Sequence, residues 1–420
     1  MAELAKEAAA PEPAPAPAVE PVTGELAAPL VAGLGAPVGV RALPPVDPRL
    51  RRAWAHGLQR SAGNAALARA IQRQPPTQAP PDQAAPPDHA RALGDVQGHA
   101  MFNLLPMLER LDPAVLADEA AAQAVGGPRL VVAIHAVKSK GNWKAFSEAN
   151  ADQLNQLPVD QIGDIMRYLG APADVKVYDR GEFEGAFAGR FDGMVDPSTG
   201  TLTLIFRVSF EKVEGAQYGG VRPGEKGFDD VNQAAFDEFV AKFKTAIESV
   251  WSSKASITAT CPGFKVPTFL TKVNVVVNSG QPHVTFKVYG VTSGIQSNVE
   301  KDGKTGALQV GDVEKHKTEQ NLPGGKKLTS EQITAAHEFG HAIGLQHVAC
   351  DGERQICYGT TDAEFGDIMG GGMNVQSLST TSVRRRPHDD LAPFEEIARR
   401  WGKDVFPPAL QAKCNKWNRA

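Results

Sequence analysis

Residues 337–347 read HEFGHAIGLQH and gather three of the chain's ten histidines around one glycine. Four residues are slightly more than one helical turn, so His337 and His341 stack on one face and aim their imidazoles at one point. Gly344 can take a positive φ without steric cost, which ends the helix and lets His347 approach that point from another direction. Neutral imidazoles are good zinc ligands, and three of them leave a coordination position open, whereas structural zinc usually has four protein ligands rich in cysteine. An open position implies catalysis: Zn2+ lowers the pKa of a bound water to about 7, and Glu338, beside a ligand, is placed to accept its proton as general base. The short HExxH pattern arises by chance in about one chain of this composition per hundred, and the added Gly and His cut that roughly 400-fold.

These residues need a rigid support. Thr329 and Gln332 have capping-box spacing, and Ile333, Ala336, Gly340 and Ile343 repeat at helical intervals, which predicts a helix over 330–343. Upstream, TLTLIFRVSFEKV follows the turn signal DPSTG and puts Leu202, Leu204, Phe206, Val208 and Phe210 on one face, a hairpin feeding a sheet. Phe236, Val240, Phe243, Ile247 and Val250 then recur at three- and four-residue steps, an amphipathic helix suited to that sheet. Two more strands are expected in FLTKVNVVVNSGQPHVTFKVYG, and a closing helix in DDLAPFEEIARRW capped by Asp389 or Asp390. The expected fold class is α+β, with an α/β-like sheet.

The first part of the chain reads differently. Residues 1–50 are dominated by Ala and Pro and hold no sustained apolar period, so they cannot recover the entropy cost of ordering. A short helical element is expected over 51–74, a Pro-rich linker over 75–92, a small helical module over 93–170, and a catalytic domain over 172–420. Asp-Pro and Leu-Pro pairs in the module mark breaks between short helices. A net charge of −4 supplies no overall basic field, so no nucleic-acid partner is expected. No signal-peptide pattern opens the chain and no run of some 18 apolar residues follows, so neither ordinary secretion nor a membrane span is expected, and synthesis in the cytoplasm is. Four cysteines are too few for a disulfide scaffold; Cys350 and Cys357 either close a small loop or are two buried thiols.

HEFGHAIGLQH resembles the metzincin clan of zinc endopeptidases, whose HExxHxxGxxH pattern it matches letter for letter. The resemblance is close over 329–374 and loose over 172–420. It implies His337, His341 and His347 as zinc ligands, Glu338 as catalytic base, and a protein or peptide substrate. It also implies a Met-turn beneath the metal, for which FGDIMGGGM offers Met369 first and Met373 second. Several metzincin families place Tyr or Pro two residues after that Met, and here the residue is Gly371. An edge strand that pairs with extended substrate is a further implication, with PHVTFKVYG as its candidate and His283 on that strand as an ordinary exposed residue.

LQRSAGNAALARAIQRQ resembles a short element near the N-termini of bacterial proteins associated with extracellular contractile injection systems. It implies an exported effector or toxin with components of such a system as partners. Two rival readings are a non-catalytic cargo or interaction protein, which the presence of Glu338 disfavours, and a zinc amidase acting on cell-wall peptides.

Overall fold

The computed structural model describes residues 88–213, 231–259, 267–290, 296–322, 325–348, 361–375, 377–378, 388–411, 414 and 417–419, all within one compact unit, Pro86–Ala420. Short apolar repeats punctuated by proline build a helical layer: α1 (His89–Gln97), α2 (Met101–Leu108), α3 (Pro113–Ala117), α4 (Glu119–Lys138), α5 (Trp143–Leu154) and α6 (Val159–Leu169). The Asp112-Pro113 pair begins a helix: the Asp112 carboxylate accepts from the Ala114 amide, and Pro113 takes a first-turn position where no amide proton is needed. Gly170, at φ 67, closes α6 in the left-handed conformation that glycine tolerates. By length and composition α4 could cross a bilayer. Gly127 breaks it at φ 60 and ψ −157, however, and Leu130, Val132, Ala133 and Ile134 are buried in the layer's own core.

After this layer come β1 (Lys176–Tyr178), β2 (Asp192–Asp196), β3 (Thr201–Lys212), α7 (Gln233–Trp251), β4 (Ser256–Ala259), β5 (Phe269–Val277), β6 (Val284–Tyr289), β7 (Asn298–Val299) and β8 (Thr305–Gln309). A hairpin of β9 (Lys315–Asn321) and β10 (Lys327–Ile333) leads into α8 (Thr334–Ala342). The chain ends with α9 (Asp362–Gly366), β11 (Ser377–Leu378), β12 (His388–Asp389), α10 (Ala392–Val405), α11 (Pro408–Gln411) and β13 (Trp417–Arg419). Among the described residues the main sheet runs β13-β4-β5-β3-β6-β8-β7, with β2 also on β3 and β1 on β2. The fold is mixed α+β around an open twisted sheet.

The expected hairpin is β2 and β3, antiparallel from Asp192↔Ile205 to Asp196↔Thr201. Alternation on β3 serves two cores at once. Leu202, Leu204, Phe206 and Val208 enter the cluster shared with α7, α8 and α10, while Ile205 joins the helical layer's cluster with Met194 and Val276. β5 lies parallel to the first half of β3 and β6 parallel to its second half, both meeting at Val208. Residues 278–283 therefore carry the chain from one side of β3 to the other, with Asn278 at φ 57 making the turn. β6 pairs with β3 and β8 on its two sides, so PHVTFKVYG is an interior strand and not the expected edge.

The expected exposure of His283 is also corrected: it is 5% exposed. Its amide donates to Arg207 O at 2.8 Å, its Nδ1 accepts from the Arg207 amide at 3.0 Å, and its Nε2 lies 3.4 Å from Asp192 Oδ1. The crossover brings it against β3, where period-two alternation within β6 no longer governs. Arg207 completes the cluster, donating from Nε to Asp192 Oδ2 at 2.8 Å and from Nη2 to Leu157 O at 2.6 Å. It thus ties the sheet to the α5–α6 connection.

Candidate metal centre

The helix predicted over 330–343 begins at Thr334 instead, because residues 327–333 are strand. Thr329 pairs with Glu319 and Gln332 with His316 across the β9–β10 hairpin, so the capping-box spacing of Thr329 and Gln332 is not used. The Gln332 amide donates to Gly370 O at 3.0 Å. Ladder bonds satisfy this backbone more completely than an extra turn of helix would.

One face of α8 fixes the helix in the core. Phe339 packs edge-on against Phe206 at 4.9 Å and Trp251 at 5.3 Å, and Trp251 Nε1 donates to Ala336 O at 2.9 Å. Gly340 allows the closest approach, since a Cβ there would sit 2.2 Å from Met369 Sδ. Met369 is fully buried under the helix, while Met373 is only partly buried. Gly344 takes φ +101 as its role demands, and a Cβ there would come 2.5 Å from Ala186 O. Gly371 admits the Phe365 ring to 2.4 Å of its missing Cβ, so any side chain there would collide with the ring.

The three histidines converge. Their ligand atoms lie within 4.8 Å of one another, with His337 buried and His341 and His347 half-buried. Nε2 of His347 is 3.2 Å from Nε2 of His337 and 3.0 Å from Nε2 of His341. His337 Nδ1 donates to Ile368 O at 2.7 Å and His341 Nδ1 donates to Leu345 O at 2.9 Å. Each of those bonds places the ring proton on Nδ1 and leaves a lone pair on Nε2. Both rings turn that nitrogen toward Nε2 of His347, which gathers three imidazole nitrogens around a point where one metal ion could be held. Burial, helped by the charge of His341, lowers the pKa of His337 to about 3, which keeps it in the neutral form a metal requires.

Glu338 is 6% exposed, and its Oε2 has no hydrogen-bond partner in the protein. Burial, then the charge of Asp312, raises its carboxyl to about 8. An orphaned carboxylate oxygen beside a cluster of imidazole lone pairs is a site short of positive charge, so the residues present fit a divalent ion such as Zn2+. The His337–Glu338 side opens on a cleft of about 440 Å3, also lined by Gln309, Asp312, His316 and Thr334.

Sequence reasoning did not single out Asp312, Gln332 or the carbonyls of Leu345 and Ile368. The Gln309/Asp312 capping box of the 310 turn Val310–Val313 is a local signal for the turn, though nothing local reveals that the turn borders Glu338. The carbonyls carry no side-chain signal at all. Cys350, Cys357 and the 51–74 element lie outside the described residues; Cys414 is disulfide-bonded. At the closing helix, Asp389 accepts from the Leu391 amide at 3.0 Å, and the cap residue is Leu391 itself. No family model, curated protein or solved structure matches this chain.

Proposed function

We propose that the chain is a zinc-dependent endopeptidase of metzincin type. The observation that carries the reading is the convergence of the Nε2 atoms of His337, His341 and His347 beside the buried Glu338 carboxyl, whose Oε2 has no hydrogen-bond partner in the protein. When bound, Zn2+ would supply Lewis-acid polarisation and an acidified water, with His337, His341 and His347 holding it. Glu338 then accepts a proton at Oε2 and passes it to the leaving amine, which a carboxyl raised by burial suits once a neighbouring cation favours its ionised form. Ile368 and Leu345 keep two imidazoles in the ligand tautomer through their carbonyls.

Among the described residues β7 pairs only with β8, and Gln296 and Ser297, just before it, line the cleft. An extended peptide can add to that short edge by backbone pairing, and β7 takes the substrate-strand role first given to PHVTFKVYG. Among the described residues that line the cleft, none comes from the helical layer. Delivery by a contractile injection apparatus stays a proposal resting on the sequence of the 51–74 element alone.

Glu338→Gln separates binding from turnover, because it keeps size and ligands while removing the proton acceptor. Zinc content should stay at the wild-type level while hydrolysis of a mixed proteome falls by roughly 10² or more. Equal rates for the two proteins would assign the chemistry elsewhere.

A further inference from the structure

The cleft beside Glu338 has a wall unlike that of most ligand pockets, which are predominantly apolar. Gln296, Ser297, Gln309, Asp312, His316 and Thr334 line it together with the metal helix, and none of its described lining residues has an aliphatic, Phe, Tyr or Trp side chain. An apolar substrate side chain entering it would leave water without meeting apolar surface, so the hydrophobic gain is largely forfeited. None of the lining residues is Lys or Arg, whereas two, Asp312 and Glu338, are carboxylates.

Asp312 is built in rather than loosely exposed. It is buried in the 310 turn, and its Oδ2 accepts from the Gln309 amide at 2.7 Å and from the Ser297 hydroxyl. Among the described residues both side-chain hydrogen bonds to the carboxylate fall on Oδ2, which leaves Oδ1 as the acceptor for an incoming group. Asp312 lines the same cleft as His337 and Glu338, so the acid borders the reacting centre. A desolvated carboxylate with a spare lone-pair edge is what a guanidinium or ammonium recognises.

The geometry points to a specificity pocket that takes a cationic side chain, Lys or Arg, of the bound peptide, with Asp312 as the residue that selects it. This rests on the endopeptidase reading and adds the substrate class to it. A peptide library cut by the zinc-loaded full-length chain should give cleavage sites enriched in Lys or Arg at one position. Synthetic pairs on a cleaved sequence, with Lys or its neutral isostere norleucine at that position, should differ in kcat/KM by about tenfold or more in favour of Lys. Asp312→Asn retains an oxygen for the Gln309 amide and should bring that ratio to within about twofold of unity. The ratio is taken within each protein, so a change in overall rate does not affect it. Norleucine cleaved as well as Lys by the wild type, or a ratio untouched by Asp312→Asn, overturns the pocket assignment while leaving the endopeptidase standing. Failure of the zinc-loaded wild type to cut any library member overturns both.

Discussion

Two buried histidines stand among the described residues, His283 at the crossover and His337 at the metal centre, and they differ in where their hydrogen bonds go. At the crossover, His283 exchanges bonds with the Arg207 backbone, and Asp192 accepts from the Arg207 guanidinium and from the Arg180 amide at 2.9 Å. Positive and negative groups there answer one another inside the protein. At the metal centre, His337 and His341 spend their Nδ1 protons on carbonyls and turn their Nε2 atoms toward Nε2 of His347. The first cluster is organised around the Arg207–Asp192 ion pair, whereas the second brings three imidazole nitrogens to one point with no such pair described between them. Burial of a histidine therefore says little about function. The balance of donors and acceptors around its two nitrogens says much more.

The sharpest way to separate the clusters is to damage each and ask what is lost. Arg207→Met removes one member of a buried pair and leaves Asp192 without its guanidinium, along with the bonds to Gln156 O and Leu157 O. Breaking such a pair should cost about 3–5 kcal/mol of stability, read by urea denaturation. Zinc stoichiometry in the folded fraction should not change. A variant as stable as the wild type would mean that Arg207 does not fasten the helical layer to the sheet.

Acid offers a smaller, signed test. Burial lowers the pKa of His283 against the opposing pull of Asp192. Burial alone would raise Asp192, but hydrogen bonds and charge from His283 and Arg207 outweigh it and lower its carboxyl. Both groups bind protons more readily when unfolded, so stability is full above their unfolded values and falls with falling pH, first below about 6.5 for the histidine and then below about 4 for the acid. His283→Gln in chelator-treated protein should remove up to one proton from the slope just below pH 6.5, about 1.4 kcal/mol per pH unit. Identical slopes for variant and wild type would remove His283 from the acid response.

Much of the centre was legible because its chemistry is local in sequence. His337, Glu338, His341, Gly344 and His347 lie within one helix and one turn, so 3.6-residue geometry and the freedom of Gly344 suffice to bring them together. The alternation of Leu202 to Val208 likewise gave a sheet face correctly. What was not legible depends on contacts remote in the chain. His283 follows the period of β6 in sequence but is captured by Arg207, and the strand Lys327–Ile333 is held by its hairpin partner against a helical pattern. The edge beside the cleft is β7, only Asn298–Val299, which is too short to show a period.

The central claim is that the three histidines exist to hold a metal. Elemental analysis of the purified full-length chain, wild type beside His341→Ala, tests it directly, with circular dichroism to show that both are folded. Three converging imidazoles predict about one zinc per chain in the wild type, and loss of that zinc when His341 is removed. Full zinc occupancy in the His341→Ala protein would place the metal elsewhere and contradict the account.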